Sequence, residues 1–202
     1  MRMIAVWSYV ALPAIGLLAV VVAGCGTMPP RTAARISPSR EEVVRALNLV
    51  PMNDGACIGY YREMYACAVP AQAGKPRPAA SSIYYLMAGG LFDPWHKLAS
   101  DEILVYHAGV PMHQLLIYPD GKVQKLILGP DPTRGHQPQI IIPKGTWMGF
   151  RIADDRPEAW GLYSVICAPG FHLEDITISS GQDLGGQFPS AVAAMKELRM
   201  YQ

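Results

Sequence analysis

Between residues 59 and 178 the chain breaks into short runs of strand-forming residues that recur about every ten positions, each closed by Gly, Pro or Asp. The runs fall at residues 60–65, 82–87, 103–106, 114–118, 122–128, 139–142, 147–152, 163–167 and 174–178. This rhythm predicts an all-β barrel or sandwich, and 19 glycines with 18 prolines supply the turns it needs. The turn Pro119-Asp120-Gly121 closes one of these strands, and residues 71–80, with two prolines, form a surface loop. In the run Ser82-Ile83-Tyr84-Tyr85-Leu86-Met87, alternation places Tyr85 inward with Ile83 and Met87. Helices flank the strands. Ser39 with Glu42 reads as a capping box ahead of the stripe Val43, Val44 and Leu47, predicting a helix over 40–47. Pro189 and Ser190 start a final helix over 191–199. No internal repeat and no second domain interrupt residues 39–202.

The N-terminus is a different kind of segment. Arg2 is followed by an apolar run over 5–22 and then Val22-Ala23-Gly24-Cys25, a secretory leader by its charge, length and small-residue ending. The ending resembles the lipobox of bacterial lipoproteins, which implies cleavage after residue 24 and a lipid on Cys25. Several acyl chains on one terminus give stable membrane attachment. Residues 25–38, with Pro29, Pro30 and Pro38, then serve as a lipidated tether. Gly26 at the second mature position favours the periplasmic face of the outer membrane in a host that has one. Cys57, Cys67 and Cys167 remain in an oxidising compartment, as one disulfide in any of three pairings plus a thiol, or as three free thiols. The 17 basic residues, Arg2 among them, balance 16 acidic ones, so no basic face for nucleic acid is implied.

The stretch that carries chemistry is Trp95-His96-Lys97-Leu98-Ala99-Ser100-Asp101-Glu102, running on to His107-Ala108-Gly109. His96 and Leu98 share parity on one strand, and Glu102 lies beyond a tight turn on the next, so a hairpin would bring an imidazole and a carboxyl to one interior. A carboxyl ahead of Ile103-Leu104-Val105 needs a partner if it points inward, and His96 or Arg62 could supply it. His107 has the opposite parity and should face out. Trp147 is expected to pack outside the barrel. The spacing of His96, Leu98, Glu102 and Gly109 resembles the first motif of the cupin superfamily. Pro143, Gly145 and Met148 resemble the second. Leu98 and Met148 stand where two metal-binding histidines would be. His96 and Glu102 alone are a poor catalytic metal site, which normally draws three protein ligands, so no metal or other cofactor is expected.

The wider set YYREMY, SSIYYLM, WHKLASDEI and PQIIIPKGTW resembles one branch of that superfamily, a domain of unknown function termed cupin group five. The resemblance runs from about Leu47 to the C-terminal helix. It implies a double-stranded β-helix, a jelly-roll barrel that forms a homodimer around a small-molecule cavity. Some members are likened to nucleotide-sugar epimerases by shape alone. The chain departs from the branch at Met52, where a histidine is usual, and at Met148, where a glutamine is frequent, and both changes make the pocket less polar. The expected site is His96 and Glu102 as polar anchors or catalytic groups, with Tyr85, Arg62 and Met148 as further ligand contacts. Three functions fit: an envelope-anchored binder of a small polar, sugar-like molecule; a metal-independent epimerase or isomerase with His96 as general base, oriented by Glu102; and a dimeric envelope interaction protein. No G-x-S-x-G, Walker, H-E-x-x-H or G-x-G-x-x-G pattern offers another chemistry.

Overall fold

The computed structural model describes residues 37–52, 58–74 and 76–201. The leader, Cys25 with its tether as far as residue 36, and Cys57 lie outside them. The described chain is a jelly-roll of two antiparallel sheets. Six strands form one sheet in the order β1 (Val50–Met52), β2 (Gly59–Ala66), β3 (Ser81–Ala88), β10 (Trp160–Ala168), β5 (Asp101–Gly109) and β8 (Gln139–Ile142). Five form the other, in the order β11 (Thr177–Ile178), β4 (Asp93–Lys97), β9 (Trp147–Ile152), β6 (Met112–Ile117) and β7 (Val123–Leu128).

Side-chain alternation separates two cores. On β6, Met112 and Leu116 point between the sheets, where they meet Leu104, Leu128, Ile140, Ile142, Met148 and Tyr163. Leu115 and Ile117 point the other way, into a second cluster with Trp95, Trp147, Leu184, Met195 and Met200. Burial on both faces explains why β6 and β9 read as nearly continuous apolar runs. The second cluster is the outward face of the five-stranded sheet, covered by α2 (Gly181–Gln187) and α3 (Val192–Glu197). Trp147 lies there, as parity predicts.

The opening helix, α1 (Arg40–Ala46), has the expected cap: the Ser39 amide donates to Glu42 Oε2 at 2.7 Å and the Glu42 amide to Ser39 Oγ at 3.2 Å. It sets Val43 and Leu49 against Leu86, with Tyr60, Tyr84 and Trp160 packed beside them, over one end of the six-stranded sheet.

Four features depart from the sequence expectation. His96 and Glu102 do not belong to a hairpin. β4 pairs with β9 and β11, β5 pairs with β10 and β8, and the chain changes sheets between them. β1 is an extra edge strand, whose Pro51 is tolerated because only β2 flanks it. The run at 174–178 is a 3₁₀ turn, Leu173–Asp175, followed by only two strand residues. The helix α2 was not anticipated because three of its seven residues are glycine, the poorest helix former after proline. One of them is required by packing: a Cβ on Gly185 would lie 2.7 Å from the Tyr201 ring and 3.0 Å from Val192.

Candidate functional site

A cavity of about 520 Å³ opens between the sheets. Its wall is largely apolar: Met52, Ile83, Leu98, Phe150, Val165, Phe171 and Ile176. Into it face His96 and Asp93 from β4, Glu102 from β5, Tyr85 from β3 and Cys167 from β10, with Tyr61 and Glu63 from β2. His96 and Glu102 therefore share one interior from opposite walls, and Tyr85 joins them. Asp93, His96 and Glu102 are 0%, 4% and 3% exposed, so each is set by the protein and not by bulk water.

Two sequence-derived contacts fall elsewhere. Arg62 is turned to the outside, where its guanidinium donates to the Leu47 carbonyl at 3.1 Å, while its neighbours Tyr61 and Glu63 face the cavity. A β-strand sends successive side chains to opposite faces, so Arg62 cannot pair with Glu102. Met148 is inward but belongs to the packed core beside His96, its cross-strand partner, and does not line the cavity. Cys25 lies outside the described residues.

The local geometry follows from single residues. Pro94 has no amide proton, and the β4–β9 register slips between Asp93 and His96. That irregularity lets two residues three apart both face the cavity. Asp93 Oδ1 accepts from the Ile58 amide at 3.1 Å and from the Tyr85 hydroxyl at 3.3 Å, and the same hydroxyl donates a short hydrogen bond to the Ile58 carbonyl. Tyr85 is thus fixed by its hydroxyl at the wall. His96 Nδ1 lies 2.8 Å from the Pro94 carbonyl oxygen. A carbonyl only accepts, so Nδ1 carries a proton, and in the neutral ring the lone pair is on Nε2. Asp93 Oδ2, 3.6 Å from Nδ1, reinforces that orientation. Phe150 packs edge-on against both Tyr85 and His96, with centroid separations of 6.0 and 5.9 Å.

Glu102 differs in kind. Among the described residues its carboxyl makes no hydrogen bond or ion pair, and burial alone pushes its pKa up to about 7. Its cross-strand neighbour on β10 is Cys167, a thiol pushed up to about 12 by burial and by the charge of Glu102. Cys67 and Cys167 are both free, so neither enters a disulfide. His107 sits at a bulge on β5, faces out as expected, and bonds Ser164 Oγ at 2.6 Å.

The two motif glycines fix loops at the barrel ends. Gly109 has φ +83°, and a Cβ there would lie 2.2 Å from the Trp160 carbonyl oxygen. No larger residue fits.

Among the described residues no three His, Cys, Asp or Glu side chains are grouped so that they could hold a metal ion. His96 and Glu102 supply one nitrogen and one carboxyl, Leu98 lines the cavity with an apolar side chain, and Met148 is buried away from it. The donor set does not fit a catalytic metal site, and no step is assigned to a metal here.

A two-sheet jelly-roll with a sparsely polar cavity between its sheets defines a cupin-type small β-barrel. Residues 41–179 match the family described as Cupin superfamily (DUF985), and the chain belongs to it. It is similar to an uncharacterized Saccharomyces cerevisiae protein, YML079W, at 25% identity over 159 residues, 72% of this chain and 77% of that one. Among solved structures, protein SO0799 from Shewanella oneidensis is 27% identical with a TM-score of 0.69, covering 80% of this chain and 97% of that one. A hypothetical protein from Leishmania major is 28% identical with a TM-score of 0.68, covering 82% and 100%.

Asp93 was missed by sequence reasoning, whereas Arg62 and Glu63 stood as a pair of which one could line the pocket, and it is Glu63 that does. A signal existed for Asp93: an acid between Phe92 and Trp95, next to a proline, has to find partners if its strand is buried.

Proposed function

We propose that this chain is an envelope-tethered cupin, lipid-anchored through Cys25, whose barrel binds a small molecule without a metal or other cofactor. The observation that carries the reading is the Glu102 carboxyl, buried, facing a 520 Å³ cavity and bonded to no described residue. A pocket of this volume with a few convergent polar groups in an apolar wall suits a small ligand that is apolar over most of its surface and polar at one end. The test is a thermal-shift screen of the full-length chain against small metabolites. Stabilising compounds should lose their effect in His96→Ala and in the cavity-filling Val165→Phe. A screen without hits, or hits indifferent to both substitutions, would sink the reading. Cys25→Ser should move the chain from the membrane to the soluble fraction.

A second reading, a metal-independent epimerase or isomerase, is favoured by the paired states of two groups. His96 has its lone pair on Nε2 and can take a proton, while Glu102 titrates near neutrality and can return one. Uptake of solvent deuterium beside the carbonyl of added sugar probes would support it, and loss of that uptake in His96→Ala would assign the base. The outward face of the six-stranded sheet exposes Ile141 beside half-buried Ile103, Val105 and Ile166. That surface supports a homodimer, which light scattering of the purified chain would test.

A further inference from the structure

We infer that the cavity selects a cationic ligand: an amine carried on an apolar or aromatic body. The inference rests on reading the cavity as a ligand site and narrows its chemistry. Three acids face the cavity, Glu63, Asp93 and Glu102, and no lysine or arginine does among the described residues. Residues 53–57, between two cavity-wall segments in sequence, contain no basic residue either. The guanidinium of Arg77 is engaged elsewhere, 2.5 Å from Asp175 and from Ser100 Oγ, with its Nε on the Gly170 carbonyl. An anionic ligand such as a phosphate or carboxylate would meet acids without a compensating lysine or arginine among the described residues.

The hydrogen-bonding character agrees with the charge. Glu102 makes no bond to a described residue, and its carboxylate offers two acceptor oxygens and no donor. Acceptors of this kind fit a donor-only head, and an ammonium group has no acceptor. Tyr61, Tyr85, Phe150 and Phe171 contribute aromatic rings to the wall, which attract a cation by their faces. A hard inorganic cation is less well served, because it draws six or more oxygen ligands and this wall is mostly carbon.

The test compares three probes with one body: 2-phenylethylamine, 2-phenylethanol and phenylacetate. Calorimetric titration of the full-length chain at pH 8 should rank amine over alcohol by at least about tenfold, with phenylacetate weakest. Glu102→Gln should bring amine and alcohol within about twofold of each other, because the neutral amide keeps the shape and removes the charge. Phenylacetate binding as tightly as the amine, or an unchanged ratio in Glu102→Gln, would overturn the inference. If phenylacetate or the alcohol binds best and Val165→Phe abolishes that binding, the cavity is a ligand site and only its proposed charge preference is wrong. Binding of none of the three overturns the charge preference, and the broader screen then decides the cavity itself.

Discussion

Glu102 on β5 and Cys167 on β10 stand directly opposite each other across the sheet, and both side chains face the cavity. Burial drives each toward its uncharged form, the carboxyl up to about 7 and the thiol up to about 12. Two neutral groups can share that wall where two charges could not.

This fixes the sign of one pH effect. The carboxyl titrates near 4.5 when unfolded and near 7 when folded, so the folded state holds its proton longer. Its contribution to stability is full below about pH 4.5 and is lost as pH rises to about 7. Relative to wild type, Glu102→Gln should therefore gain stability between those values, on the order of 3 kcal/mol by pH 8, and gain nothing at pH 4. Urea denaturation of both proteins at the two pH values measures it. A variant less stable than wild type at pH 8 would mean the carboxylate is held by a partner.

The thiols should separate by reactivity. Cys167 is buried with its proton firmly held, whereas Cys67 is half-buried and drawn below its ordinary value by the Tyr65 hydroxyl. The thiolate is the reactive form. Iodoacetamide at pH 8 should label Cys67 well before Cys167, as read by peptide mass spectrometry of the native protein.

Asp93 is a structural residue as well as a cavity group. Replacing it by Ala strips the Ile58 amide of its acceptor in a partly buried setting and takes from the Tyr85 hydroxyl the weaker of its two, which should destabilise the chain by about 1–3 kcal/mol. Asp93→Asn, which keeps one acceptor oxygen, should recover part of the loss in the same denaturation experiment.

One substitution should give the cavity a metal site. Leu98 faces the cavity with His96 and Glu102, so Leu98→His completes a set of three donors. Elemental analysis should find little bound zinc or nickel in the wild type and a clear gain, at least about tenfold in affinity, in the variant. Near-stoichiometric metal in the wild type would revive a metalloenzyme.

Gly109→Ala should cost more than a helix or loop glycine usually does, about 2 kcal/mol or more, because the added methyl meets backbone and the φ value is left-handed. Chemical denaturation, with circular dichroism to confirm the fold, is the check.

Much of this fold was legible because strand alternation is local. Tyr85 could be aimed inward from its neighbours, and Trp147 outward from Met148. What could not be read is which sheet each strand joins. His96 and Glu102 look like two arms of a hairpin because only five residues lie between them, yet that interval is spent crossing from one sheet to the other. Arg62 was misplaced because the run Tyr60-Tyr61-Arg62-Glu63-Met64-Tyr65 has polar residues of both parities and names no face. Asp93 faces the cavity only because the ladder slips at Pro94, a tertiary event with a weak local signature.

The strand that turns His96 inward turns Trp95 outward, and the indole Nε1 donates at 2.7 Å to the carbonyl of Met200, just past α3. The imidazole is therefore braced from behind by the segment that follows α3. An insertion into that segment, or a protease that nicks it, would loosen the back of the site without touching any residue in front, so loss of binding after such a change should not be mistaken for loss of a contact with the ligand.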